Sequence, residues 1–299
     1  MSSIATTPSS TFHEARDPGV ARMFEAYVKT FELPENAVLA AFRKLVHEDH
    51  HLLEYSVKLD EGKVHPARFA MIYSGDMRAR FDRILEFFKE VMAASTGRLD
   101  ASLIAAIVRD LDLTKVDFCA CGFDLRPNVD DCRFKFWAWV KDQPLKVDQL
   151  LELYGAPPSV LDLILGNDLP VGCDMDLRGN TRMKLYPSFT AEDRANRAIR
   201  RRLEATLSAP ALALMPRVER LNVSFDPDHS RVLHLQLLPH QLPAMLAELG
   251  LAGHPVIERA SALGLRVHVV SLAESALGSP MPRPMNLYFI PRRAPSGEV

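Results

Sequence analysis

The chain has 299 residues, of which 47% are hydrophobic and 25% charged, and a formal net charge of -2. That balance suits a soluble globular protein and gives no electrostatic reason to expect nucleic acid or an acidic membrane as a partner. No apolar run approaches the roughly 20 residues that span a bilayer, and MSSIATTPSSTF lacks the basic and apolar parts of a secretion signal, so a cytoplasmic monomer is expected.

Residues 1–16 read as a disordered tail, 17–290 as a single folded domain, and 291–299 as a flexible end. Helical spacing covers about 17–29 and 35–49, with Val38, Ala41, Phe42 and Val46 on one face. Period two then begins: Leu53, Tyr55, Val57 and Leu59 alternate with Glu54, Ser56 and Lys58. After a turn at Glu61-Gly62-Lys63, Arg68, Ala70 and Ile72 alternate with Ala67, Phe69 and Met71. Helices are predicted at about 77–95 and 100–110. The second hairpin runs from Asp117 to Asp142, turning at Pro127-Asn128. Cys119, Cys121, Phe123 and Leu125 form its greasy face with Phe134, Phe136, Ala138 and Val140. Arg133, Lys135, Trp137, Trp139 and Lys141 lie opposite. The four cysteines, Cys119, Cys121, Cys132 and Cys173, form no CxxC pair and read as reduced core residues.

Helical patterns at 147–153 and 160–165 precede a third hairpin, 169–186, in which Gly172, Asp174, Asp176, Arg182, Lys184 and Tyr186 share the polar face. An Arg-rich helix spans about 191–207. A fourth hairpin sets Asn222, Ser224, His234 and Gln236 on its polar face, with a turn at 226–230. Helices at 241–249 and 255–263 lead to a fifth pair, 265–270 with His268 and 285–290 with Tyr288, joined by a Pro-rich loop over 278–284.

Five hairpins separated by helices make ten antiparallel strands. Closing them into a barrel removes exposed edges, and the amphipathic helices cover the greasy outer face. The fold class is therefore α+β, a ten-stranded antiparallel barrel with a polar lumen inside a ring of helices. Two domains with separate open sheets are the alternative. A polar lumen is a chamber for a ligand. Arg68, Lys135, Arg182, Lys184, Tyr186, His234, Gln236, His268 and Tyr288 offer charge or hydrogen bonds there, beside Trp137 and Trp139 and the acids Glu54, Asp124, Asp174 and Asp176. Such a set suits a ligand with a polyanionic head and an apolar or cationic body, such as an isoprenoid diphosphate. Lys and Arg would hold the head, and aromatic faces would steady an allyl cation.

One competing motif stands at His47-Glu48-Asp49-His50-His51, the HExxH pattern of zinc proteases, with Glu86 or Glu90 as a third ligand. It needs a helix running through His51, where strand alternation already begins. No DDxxD, P-loop or GxGxxG motif occurs.

The segments LLEYSVKLDEGKVHPARFAMIYSGD, VDFCACGFDLRPN, FKFWAWVKD and MNLYFI resemble the peptide prenyltransferases of cyanobactin-type pathways, members of the ABBA-barrel prenyltransferases. The resemblance runs from about Phe42 to Ile290. It implies transfer of a dimethylallyl or geranyl group from its diphosphate to a side chain of a linear or macrocyclic peptide, in the biosynthesis of ribosomally made, modified peptides. It also implies magnesium assisting diphosphate departure, with no metal ligand assigned. By position, Glu54 matches the catalytic carboxylate. Arg68, Lys135 and Tyr186 match diphosphate or chamber positions, with Arg182 and Lys184 beside them. Trp137, Trp139, Asn222, His234, Gln236 and Tyr288 would form the prenyl pocket. Trp137 replaces a His of the family pattern, Asn222 a bulky Phe, and Asp176 an aromatic. Asp174 and Asp176, two apart on one strand face, are expected to bind the acceptor, and a guanidinium gains most from two carboxylates. An Arg acceptor is therefore expected ahead of Tyr or Trp. A non-catalytic barrel that binds a prenyl diphosphate or a peptide is the alternative from another class.

Overall fold

The computed structural model describes residues 18–48, 52–60, 62–166, 168–225, 230–278 and 284–292. Both predicted tails, apart from residues 291 and 292, lie outside the described residues. So do 226–229 of the fourth turn and 279–283 of the Pro-rich loop.

Eleven strands form one antiparallel sheet: β1 (Leu52–Asp60), β2 (Lys63–Tyr73), β3 (Val116–Asp124), β4 (Arg133–Val140), β5 (Leu169–Asp176), β6 (Thr181–Leu185), β7 (Ser188–Thr190), β8 (Val218–Phe225), β9 (Arg231–Leu237), β10 (Leu265–Ala273) and β11 (Met285–Pro291). Their spatial order is β6-β5-β4-β3-β2-β1-β11-β10-β9-β8-β7. The two ends of that order, β6 and β7, are consecutive in the chain, parted only by Tyr186 and Pro187. The Tyr186 amide donates to the Pro170 carbonyl on β5, and the Val223 amide on β8 donates to the Pro187 carbonyl. Pairing is thus handed from β5 to β8 across one broken strand, and the sheet closes on itself. The ten predicted strands become eleven because proline has no N–H to continue a ladder and splits the strand.

The five hairpins follow from the alternation in the sequence. On β4, Phe134, Phe136, Ala138 and Val140 are buried, while Lys135, Trp137 and Trp139 are only partly so. The buried face packs outward under α1 (Pro18–Thr30), α2 (Ala37–Glu48) and α3 (Met77–Ala93). Phe42 meets Phe123 edge-on with ring centres 4.7 Å apart, Tyr27 lies 4.7 Å from Tyr55, and Phe81 lies 5.7 Å from Phe136. Each such pair contributes about 0.5–1.5 kcal/mol beyond area burial. All four cysteines are free and buried in this outer core.

The Arg-rich helix is two helices, α7 (Ala191–Ala195) and α8 (Arg197–Thr206). Asn196 leaves helical geometry between them, and its side chain caps α8 by accepting from the amides of Ala198 and Ile199. No helix among the described residues is long and apolar enough to cross a membrane.

Candidate active site

The lumen is a chamber of about 760 Å³. Neighbouring strands place one charged side chain each at its middle height, in alternating sign. Arg68 on β2 donates through Nε to Asp124 Oδ1 on β3 at 2.6 Å, and that oxygen lies 3.7 Å from Lys135 Nζ on β4. Lys135 stands across the ladder from Asp174 on β5, and Lys184 Nζ on β6 meets Asp174 Oδ2 at 2.8 Å. The result is a charge ladder across five strands, + − + − +. Strand pairing dictates it, because facing residues of adjacent strands share a side of the sheet. Burial would raise both aspartates, but Lys135 and Arg68 hold Asp124, and Lys135 and Lys184 hold Asp174, below the usual carboxylate range. Seven basic and four acidic residues line the chamber. Its interior is therefore positive, but largely self-neutralised.

Glu54 faces this ladder from β1. Burial raises its carboxyl to about 7, against the opposing pull of Arg68 and Lys135. A carboxyl poised there exchanges a proton near neutral pH. Burial, then Lys184, Lys135 and Arg68, drive His234 down to about 3, so it is neutral. Its Nε2 is 2.8 Å from Ser224 Oγ. Trp137 Nε1 donates to the Tyr186 hydroxyl at 3.2 Å, and the Tyr186 and His234 rings pack edge-on.

The Trp137 ring lies flat against the barrel wall because the strands on either side carry glycine at that point. A Cβ on Gly172 would sit 2.6 Å from Trp137 Cδ1, and one on Gly122 would sit 3.1 Å from Cζ3 and 2.6 Å from the Phe69 carbonyl. Trp139 closes the opposite end from Asp176. Arg220 stacks over its ring at 4.8 Å and Lys141 lies 5.6 Å from its centre.

Glu54, Arg68, Lys135, Arg182, Lys184, Tyr186, Trp137, Trp139, Asn222, His234, Tyr288, Asp174 and Asp176 all line the chamber. Gln236 does not. It sits at the far end of β9, and its amide donates to Glu219 on β8. His268 does not either, because a register shift between Val267 and Val269 inverts the alternation of β10. Val269, Ser271 and Ala273 take the inward places instead. Asp176 lines the mouth, but its two oxygens are engaged by the β5–β6 turn. Oδ1 accepts from the amides of Arg178 and Asn180, and Oδ2 from Asn180 Nδ2. The expected pair of acceptor-binding carboxylates thus reduces to Asp174. Trp139, already covered by two cations, is poorly placed as a wall for a third.

Asn286, Ser271, Arg126 and Arg133 were absent from the predicted site. Asn286 accepts from Arg68 and steadies it. It stands two residues before Tyr288 on the same strand face, and that spacing was the signal that marked it.

The HExxH motif does not assemble. His47 pairs with Glu25 and Glu48 with Arg83, α2 ends at Glu48, and Asp49, His50 and His51 lie outside the described residues. Among the described residues no three His, Cys, Asp or Glu side chains gather to hold a metal. The central carboxylates Asp124 and Asp174 already face cations. The chamber therefore does not fit a protein-held magnesium ion.

A closed antiparallel barrel with a polar lumen and a coat of helices is the fold of the ABBA-type prenyltransferases. Three solved structures share it over nearly their whole length. A 6-dimethylallyltryptophan synthase from Micromonospora olivasterospora, in complex with DMASPP and Trp, is 15% identical with a TM-score of 0.57, over 91% of this chain and 96% of that one. PriB, in binary complex with product diphosphate, is 13% identical with a TM-score of 0.53, over 91% and 95%. NotF prenyltransferase is 11% identical with a TM-score of 0.54, over 96% and 99%. Comparison with curated proteins gives no match. By sequence, residues 21–243 match DUF5838, a family of unknown function, and the chain belongs to that family.

Proposed function

We propose that the chain is a prenyltransferase that moves a dimethylallyl group from its diphosphate to an arginine side chain of a linear or macrocyclic peptide. The observation that carries this reading is the meeting, in one lumen, of the charge ladder with a carboxyl raised to about 7. Relatives in fold were solved with a prenyl diphosphate analogue or with product diphosphate.

Arg68, Lys135, Lys184 and Arg182 hold the diphosphate, and the Tyr186 hydroxyl donates to it. The bond between the allylic carbon and the diphosphate oxygen breaks, and the diphosphate leaves with the electron pair. Trp137 and Tyr288 flank the allyl cation. A guanidinium nitrogen supplies the pair for the new C–N bond, and its proton passes to Glu54 as that bond forms. No step is routed through magnesium. Four free buried cysteines support a cytoplasmic location.

The test is mass spectrometry of matched peptides containing Arg, Tyr or Trp, incubated with dimethylallyl diphosphate, with magnesium and with EDTA. Gain of one C5 unit on the Arg peptide is expected. Modification of Tyr or Trp alone removes the acceptor assignment. Unmodified peptides throughout leave a non-catalytic binding barrel.

A further inference from the structure

The charge ladder is complete without a ligand, and that has a consequence for the order of binding. A diphosphate entering the chamber must take Lys135 and Lys184 from the carboxylates they now neutralise. The two carboxylates differ in how easily they are released. Asp124 is gripped from two sides, by Arg68 at 2.6 Å and Lys135 at 3.7 Å, and only 15% of its side-chain surface is exposed. Asp174 makes its direct contact with Lys184 at 2.8 Å and is 31% exposed to the lumen. Asp174 is the carboxylate that a diphosphate uncovers.

A buried carboxylate stripped of its cation is costly unless another replaces it. We propose that Asp174 is a positioning residue that couples the two substrates: the donor diphosphate draws Lys184 away, and the exposed Asp174 carboxylate then receives the positively charged guanidinium of the acceptor peptide. Before the donor binds, Lys184 fills the place of the acceptor's cation, so a cationic peptide meets a blocked and positive chamber. After it binds, the same place is vacant and negative. The inference rests on the reading of the site as a diphosphate-dependent transferase with an Arg acceptor, and it adds donor-before-acceptor order and the residue that enforces it. Coupling of this kind is reciprocal, because both ligands act on one pair of states.

The experiment uses the full chain in EDTA, inorganic pyrophosphate as the donor probe, and two matched peptides that differ only in Arg or citrulline, its uncharged isostere. Calorimetric titration measures each peptide with and without saturating pyrophosphate. The Arg peptide is expected to bind at least about fivefold more tightly with pyrophosphate, and the citrulline peptide to show no such gain. Asp174→Asn should bind pyrophosphate more tightly than wild type, since Lys184 is then uncommitted, and should lose the gain for the Arg peptide. Pyrophosphate binding without coupling, equal gains for Arg and citrulline, or coupling that appears only on adding magnesium would each overturn the inference and leave the transferase reading standing. No pyrophosphate binding at all would overturn both. The wild-type comparison of the two peptides decides the matter even where the variant does not fold.

Discussion

Glu54 carries two measurable consequences of one physical fact, its burial beside cations. Its folded-state carboxyl titrates near 7, against an ordinary value of 4.5. Between those values the unfolded chain releases a proton that the folded chain keeps, so folding stability falls as pH rises through this window. Glu54→Gln removes that penalty. The variant should be the more stable at pH 8, by about 1–3 kcal/mol, and should lose the advantage at pH 4. Urea denaturation at the two pH values checks the sign. If Glu54 is the proton acceptor, the same variant transfers at least about 100-fold more slowly. It also loses the rise of wild-type kcat/KM through pH 7, and unchanged turnover would remove Glu54 from the reaction. At Asn222, smaller than the aromatic of the family pattern, Asn222→Phe should shift a competition between dimethylallyl and geranyl diphosphate toward the shorter donor. An unshifted product ratio would remove Asn222 from the prenyl pocket.

Two strand segments explain why some predicted residues reached the chamber and others did not. On β4 the alternation is unbroken, so Lys135, Trp137 and Trp139 were legible directly. The only two tryptophans of the chain are neighbours on this face, so intrinsic fluorescence reports on the lumen. Gly172→Ala places a methyl group against Trp137, where neither ring nor backbone has room. It should shift the emission and cost about 1–3 kcal/mol. Wild-type emission together with wild-type stability would contradict the packing described. On β10 a single bulge turned His268 out and Ser271 in, and no periodicity count detects one added residue. At the β5–β6 turn, Asp176 lies at a chamber-facing position, yet the backbone of the turn claims its oxygens. Asp176→Ala should therefore lower stability by about 1–3 kcal/mol and leave the preference among Arg, Tyr and Trp peptides as in wild type. A switch of preference would return Asp176 to the acceptor site.

At the scale of the molecule, closure through the broken strand at Pro187 makes every hairpin a neighbour of two others. A sheet without a free edge should unfold as one unit. Far-ultraviolet circular dichroism and tryptophan fluorescence are expected to give one coincident denaturation curve. Two separated transitions would instead favour the two-domain arrangement with open sheets.

The sequence by itself determined the five hairpins, the greasy outer face and most of the inward side chains. Those features depend on a period of two, which is local and readable from neighbours. Tertiary structure alone decided where the barrel closes, that Arg68, Asp124, Lys135, Asp174 and Lys184 alternate in sign around the wall, and that Glu54 titrates near 7. Each of these depends on which strands lie side by side and on how much water is excluded between them, and residues far apart in the chain set both.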